Sequence, residues 1–389
     1  MLIDYIPSIQ LCRRVKKVKI NEEFEEIFYE LEKGHIKIRE KLNSLTQKGN
    51  ALEEILMQEH DSYDSWRFNL MDLLGAISFH FSQEQKKAHQ NFIRTSTYYE
   101  IVKEAPFYWR IMNKPNGYAG DAHMMKFIYD NRFEGTTPFG MFLHKHAVST
   151  KACQSVRNRK EYLKEKILEK KGGKILSLAA GPAQEIKEAL EVSNGNNFQF
   201  LALDHDMDTL EKFNILTMNG HFKYALANAF QIISGNYLTA KPRRFMLKYC
   251  HPRKDFTGMN RLLSTIKYEL NILQKEDFSL VYSAGLNDYI QTFLLDETKG
   301  TISLTKNLFD LVMPGGSLII GNFNHNNPRD LKFVMEYIYD WQLIYRERHD
   351  MLECARAIPE KKIEDMKIIE EPLGINYFLK IDKKQNGII

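Results

Sequence analysis

Cysteine is scarce in this chain and never clustered. The four present, Cys12, Cys153, Cys250 and Cys354, lie far apart and form no CxxC pair. That spacing argues against a zinc ribbon and against a disulfide framework. Scattered thiols fit a reducing, cytoplasmic compartment. Long apolar runs are also missing: none approaches the roughly 20 residues needed to cross a bilayer, so no transmembrane segment is expected. Residues 1–20 place apolar side chains ahead of the basic cluster at 13–17. A secretory signal has the opposite order, so none is expected. A strong charge bias is absent too. The formal net charge is +4 over 389 residues, which argues against a stable nucleic-acid partner. His60, His80 and His89 lack the spacing of a metal pair, and no metal site is expected. Repeats and low-complexity tracts do not occur. What remains is 43% hydrophobic, ordinary for a globular chain.

The first hundred residues carry helical periodicity. Phe24, Ile27, Phe28, Leu31, Ile38 and Leu42 recur at helical spacing, with a break expected near Gly34. Trp66, Leu70, Leu73, Leu74, Ile77 and Phe81 mark a second apolar face. The texture changes at Ala105. Residues 106–121 combine aromatics, two prolines and two glycines, which reads as a loop with a turn at Asn116-Gly117. Such a loop is either a wall of an active site or a packed connector. Helical patterns follow at 121–131 and, as one long helix, at about 142–170. The expected division is a helical domain over 1–104, a connector or cap over 105–154, and an α/β domain over 155–389.

The stretch from Lys174 to Glu185 organises the rest. Residues 174–178 form a short apolar run, Ala179-Ala180-Gly181 a small-residue turn, and 183–190 a helix. A second apolar run, 198–203, ends in Asp204. This strand, loop, helix, strand and acid make a nucleoside-binding unit. The loop keeps one glycine, Gly181, and Pro182 removes an N–H that a phosphate would use. A phosphate-free adenosyl ligand therefore fits better than a dinucleotide, and S-adenosyl-L-methionine is the common one. A βαβ unit without any ligand is the alternative.

Further strands are expected at 222–226, 278–282 and 317–321, with a turn at Pro314-Gly315-Gly316. Residues 236–260 interrupt the alternation as an insertion with a basic, aromatic segment at 241–254, which could hold an anion, a single strand of nucleic acid, or only solvent. Met366–Glu370 and Ile375–Ile381 flank Pro372-Leu373-Gly374, a terminal hairpin signal. A mostly parallel sheet closed by an antiparallel hairpin differs from a dinucleotide-binding sheet.

The Gly181 loop, Asp204, the turn at 311–316 and the hairpin together resemble class I S-adenosylmethionine-dependent methyltransferases over residues 155–385. Three further segments, 114–121, 282–289 and 321–323 with 341–346, resemble bacterial 3-hydroxypalmitic acid methyl ester biosynthesis proteins. The resemblance implies an α/β, Rossmann-like seven-stranded methyltransferase sheet behind an N-terminal helical domain. It also implies transfer of a methyl group to a small-molecule acceptor, an acyl carboxylate of a 3-hydroxy fatty acid. Ala179, Ala180, Gly181, Asp204, His205, Asn228, Ala229, Ser283 and Ala284 are the expected cofactor-binding residues. Tyr118, Asp121, Asn322 and Tyr345 are the expected residues that position the acceptor. Arg157 or Arg346 could pair with a carboxylate. His123, His205 and His325 could serve as bases for a hydroxyl or amine acceptor. Two other readings are an RNA or protein methyltransferase that uses the basic insertion, and a binding protein that keeps the fold without catalysis.

Overall fold

The computed structural model describes residues 18–193, 197–206, 209, 222–226, 229–235 and 273–385. The basic segment at 241–254, Asn228, Cys12, Cys250 and most of the helix expected after Asp204 lie outside the described residues.

Among the described residues, nine α-helices precede the first strand: α1 Glu22–Asn43, α2 Asn50–Gln58, α3 His60–Ser78, α4 Gln83–Arg94, α5 Thr97–Ile101, α6 Pro106–Asn113, α7 Ala122–Asp130, α8 Pro138–Ser149 and α9 Lys151–Glu169. Local chemistry sets their starts. Asn21 caps α1 by accepting the Phe24 N–H at 2.9 Å, and three glutamates follow in the first turn, where they favour the positive helix end. Ser82 and Gln85 form a capping box on α4. The face of α1 that carries Phe24, Phe28, Leu31, His35 and Leu42 is buried.

Three expectations change. No break occurs at Gly34, because α1 runs straight through it. Glycine is there for space: a Cβ would stand 2.2 Å from the Trp66 indole. Residues 106–113 are helical rather than loop. Pro106 sits in the first turn, where its missing N–H costs nothing, and Phe107, Tyr108 and Ile111 are buried. The single helix expected over 142–170 is two helices, broken at Thr150, whose backbone is extended with ψ 156°.

The sheet has seven strands: β1 Gly173–Leu178, β2 Phe198–Asp204, β3 Phe222–Leu226, β4 Phe278–Ser283, β5 Val312–Phe323, β6 Ile363–Glu370 and β7 Asn376–Lys383. Their order is β3-β2-β1-β4-β5-β7-β6. The first five are parallel, and β7 is antiparallel to both β5 and β6. The glycine turn expected at 314–316 lies inside β5, whose pairing with β4 shifts between Phe278 and Leu280. The order reverses between β1 and β4, and ligands of open α/β sheets bind outside the strand ends at such a point. Helix α10, Gln184–Ser193, follows β1.

Two apolar clusters hold the molecule. One lines the sheet from Leu163 to Ile381. The other joins α1–α9 to Phe323, to 333–339 and to Ile375, so residues following β5 complete the helical core. No helix among the described residues is long and apolar enough to cross a membrane.

Arg346 clamps the ends of β4 and β5. It is 2% exposed and donates to Asn287 O at 2.7 Å, Ile290 O at 2.5 Å, Thr292 Oγ1 at 3.2 Å and the Asn322 side-chain oxygen. Removing a guanidinium that satisfies several buried oxygens leaves them unpaired. Arg346→Met should lower the unfolding free energy by about 3 kcal/mol or more, read from denaturant midpoints; a loss below about 1 kcal/mol would contradict the clamp.

The helical core also buries neutral imidazoles. His35 Nδ1 donates to Leu31 O at 2.8 Å, so its Nε2 accepts the Tyr63 hydroxyl at 2.8 Å. His144 Nδ1 accepts the Phe107 N–H at 3.2 Å. Burial depresses His35 to about 3, and His144 and His146 to about 4. The unfolded chain thus binds more protons than the native one between about pH 4 and 6.5, so stability rises with pH there. Burial raises Asp288 to about 6, which gives the opposite slope between its unfolded value and 6. Glu134, Glu185, Asp330 and His205 are raised as well and oppose the imidazoles, so the imidazole contribution is read by difference. Between pH 7 and 4.5 the urea midpoint of the wild type should fall more than that of a His35→Gln, His144→Gln variant; equal falls in both would refute the neutral assignment.

Candidate functional site

The turn after β1 is held in an uncommon backbone. Ala179, Gly181 and Ala183 have φ of 57°, 53° and 49°, alternating along the loop. Glycine adopts this region freely, whereas each alanine there is strained. Non-glycine residues persist so only where the surroundings enforce it, and such strain clusters at ligand sites.

The enforcing group is Asp204, at the end of β2 and 5% exposed. Its Oδ2 accepts the Gly181 N–H at 2.8 Å. Its Oδ1 accepts the N–H groups of His205 at 2.7 Å and Asp206 at 3.1 Å. The His205 ring nitrogen Nδ1 lies 3.3 Å from the same oxygen, and this contact raises the imidazole pKa. Three backbone N–H groups thus occupy much of the accepting capacity of Asp204. A second carboxylate stands beside it. Asp206 Oδ2 accepts Asn116 Nδ2 at 2.9 Å and the Tyr118 hydroxyl at 3.3 Å. Tyr118 also packs on His205, ring centroids 5.0 Å apart. Burial, then the charges of Asp204 and Asp206, push the Tyr118 hydroxyl far up.

Behind the loop lies a buried polar layer. Glu185, second residue of α10, is 6% exposed and accepts the Tyr282 hydroxyl at 2.8 Å. Burial raises its carboxyl pKa. Arg159 of α9 donates to Ala284 O at 2.7 Å, beyond the end of β4. Trp341 Nε1 donates to the Tyr289 hydroxyl at 2.7 Å, next to Gly120.

These groups border one cavity of about 1680 Å³ that runs from the loop into the helical region. Of the expected cofactor residues, Ala179, Ala180, Gly181, Asp204, His205, Ala229 and Ala284 line it. Ser283 is buried at 2% exposure and does not. Asn228 lies outside the described residues.

Of the expected acceptor residues, only Tyr118 lines the cavity. Asp121 is fully buried, pairs with Arg110 at 2.8 and 2.5 Å and caps α7 through the Met124 N–H. Asn322 donates to Phe323 O and Ile344 O and accepts from Arg346. Tyr345 packs against the helical cluster, with Lys332 over its ring. Neither arginine is available to a ligand. Arg157 donates to Ile128 O, Val148 O and Gln154, while Arg346 is the clamp described above. His123 and His325 are not among the cavity-lining residues.

Asp206, Asn116, Glu185, Arg159 and Tyr289 also line the cavity, and sequence reading missed them. Asp206 stands two residues past the expected acid, and Glu185 four residues past the expected glycine. Proximity to the motif was the available signal. Nothing in the pattern marked Arg159 over Arg157.

Asp204→Asn would place an NH₂ group against N–H donors. Amide exchange at the peptide spanning 179–185 should accelerate, and stability should drop by about 1–3 kcal/mol. Unchanged exchange there would show that the carboxylate does not hold the loop.

No protein-family model and no curated relative matches the sequence. Among solved structures, the chain is similar to a possible exported protein from Bordetella parapertussis at 12% identity and TM-score 0.44, covering 84% of this chain and 97% of that one. It is similar to the apo form of the S-adenosylmethionine-dependent methyltransferase SibL at 11% identity and TM-score 0.41, covering 92% and 96%. A third similarity is to the 1,6-didemethyltoxoflavin-N1-methyltransferase of Burkholderia thailandensis, solved with 1,6-didemethyltoxoflavin and S-adenosylhomocysteine, at 12% identity and TM-score 0.35, covering 60% and 79%.

Proposed function

We propose that this chain is an S-adenosylmethionine-dependent methyltransferase acting on a small-molecule acceptor. The observation that carries the reading is where the N–H groups of the Gly181 loop go. Ala180 donates to Leu203 O, Gly181 to Asp204, and Ala183 to Ala180 O, while Pro182 has no N–H. A phosphate at residues 180–183 would meet no free donor and two flanking carboxylates, Asp204 and Glu185. Sugar hydroxyls can donate to carboxylates, and a positive sulfur is offset by them, so this acidic, donor-poor turn suits a phosphate-free adenosyl sulfonium.

Asp206, with what capacity Asp204 retains, would take the sugar hydroxyls. Ala229 and Phe230, which border the cavity, would flank the base. Arg159, anchored on Ala284 O, would meet the carboxylate end. When bound, the cofactor supplies a methyl group already activated on sulfur. The chain's own task is to bring an acceptor into line and keep water away.

We take the acceptor to be amphipathic, because the cavity beyond the loop is lined by Phe107, Ile111, Val334, Met335 and Leu343. An acyl carboxylate of the 3-hydroxy fatty acid class is our finer proposal. It is ionised at neutral pH and needs no base, whereas a hydroxyl acceptor would call on His205 or Tyr118.

Calorimetry of the full chain should show heat with S-adenosylmethionine and S-adenosylhomocysteine and none with NAD. The reverse pattern would overturn the cofactor assignment. Incubation of labelled cofactor with 3-hydroxy acids should give methyl esters; turnover of amines alone would overturn the acceptor class.

A further inference from the structure

Most buried arginines of this fold have evident oxygen partners. Arg346 meets four, Arg110 holds Asp121 with two hydrogen bonds, and Arg159 caps a carbonyl. Arg67, on α3, is different. It is 6% exposed, its Nε has no hydrogen-bond partner, and it lines the cavity at the helical end. Among the described residues it forms no ion pair. The two acids within electrostatic reach are otherwise placed. Asp64 is 58% exposed and accepts His146 Nε2 at 2.9 Å, and Asp330 is the second residue of the short helix Arg329–Phe333; both border the cavity without an ion pair to Arg67.

Arg67 is ringed by tyrosines. Tyr63, Tyr98, Tyr108 and Tyr339 lie within electrostatic reach of it, and Tyr98 makes a side-chain contact with it. The hydroxyls of Tyr98 and Tyr108 lack a hydrogen bond of regular geometry. The nearby His146 is neutral at physiological pH and adds no charge. A guanidinium withdrawn from water without a counter-ion is costly, and a fold retains one where something else supplies the negative charge. The planar fork suits a carboxylate or phosphate oxyanion, and of the four tyrosines Tyr339 also borders the cavity.

We propose that Arg67 anchors an anionic group of the methyl acceptor. The acceptor's apolar body then lies along Phe107, Ile111, Val334 and Met335, between Arg67 and the Gly181 loop. This deepens the methyltransferase reading and rests on it for the chemistry at the loop. The group held by Arg67 is not the one methylated: a mono-acid seats its carboxylate either at the loop, where it is esterified, or at Arg67, where it is only held, and an acceptor with a second acid group fills both ends. The acceptor class is thereby narrowed to amphipathic oxyanions, and neutral lipids, nucleosides and amines without an acid group are disfavoured.

The test uses thermal shift of the full chain saturated with S-adenosylhomocysteine. The probes are 3-hydroxydecanoate, decyl phosphate and, as the uncharged counterpart, 3-hydroxydecanamide. At least one anion should raise the melting temperature and the amide should not. Arg67→Lys should weaken the apparent affinity for that anion roughly tenfold, and Arg67→Gln roughly 100-fold, with the shift from S-adenosylhomocysteine alone unchanged in both. Equal response to acid and amide overturns the proposal. So does no response to either anion, or a variant that keeps the wild-type anion affinity; Arg67 is then a structural hub for its tyrosines. The acid–amide comparison needs no variant, so it stands if Arg67→Gln fails to fold. Absence of any shift with S-adenosylhomocysteine would strike the cofactor assignment instead, and the anions would then be read on the ligand-free chain.

Discussion

A single carboxylate ties the first two strands together at the mouth of the cavity. Asp204 reaches from the end of β2 to the turn that follows β1 and accepts the Gly181 N–H. Two consequences follow from that one contact. It holds a loop in which two alanines sit at positive φ, a conformation the loop would otherwise relax. It also consumes a donor that a phosphate would need, and so fixes the chemistry of what can lie there. Its other oxygen holds the next turn through His205 and Asp206, whose carboxylate meets Asn116 and Tyr118. In the proposed reading, selectivity would come from backbone accounting as much as from side chains facing the ligand.

Much of the sheet was legible because its signals are local. Short apolar runs beside turn residues suit buried strands, and β1, β2, β3 and β4 fall within a residue of where their patterns place them. The hairpin of β6 and β7 was marked by Pro372 and Gly374. The misreadings have a common cause. Residues 106–113 hold proline and several aromatics, which are turn and loop residues on average. In this chain they form a helix because the aromatic face is buried and the proline occupies the one helical position that tolerates it. Gly34 was misread in the same way: a residue that ends many helices is here a space for Trp66.

The site was only partly legible, and charge is where the reading failed. Arg157 and Arg159 are neighbours on one helix, and nothing in composition or spacing separates them. The fold spends Arg157 on the carbonyls of Ile128 and Val148 and turns Arg159 toward the strand ends. Arg346 was offered as a partner for a ligand carboxylate, but its guanidinium staples the ends of β4 and β5. Asp121 was misjudged for the same reason, since Arg110, eleven residues earlier, claims both of its oxygens. Which charges are structural is decided by partners far apart in sequence, and short-range patterns do not record them.

The helical cluster closes only when Phe323, residues 333–339 and Ile375 are in place. Its hydrophobic interior is therefore completed by the last quarter of the polypeptide. During synthesis the first nine helices emerge with an apolar surface that has no cover until the far end of the chain arrives. The packing of the amino-terminal helices is thus coupled to that of the sheet region, despite their contrasting architectures.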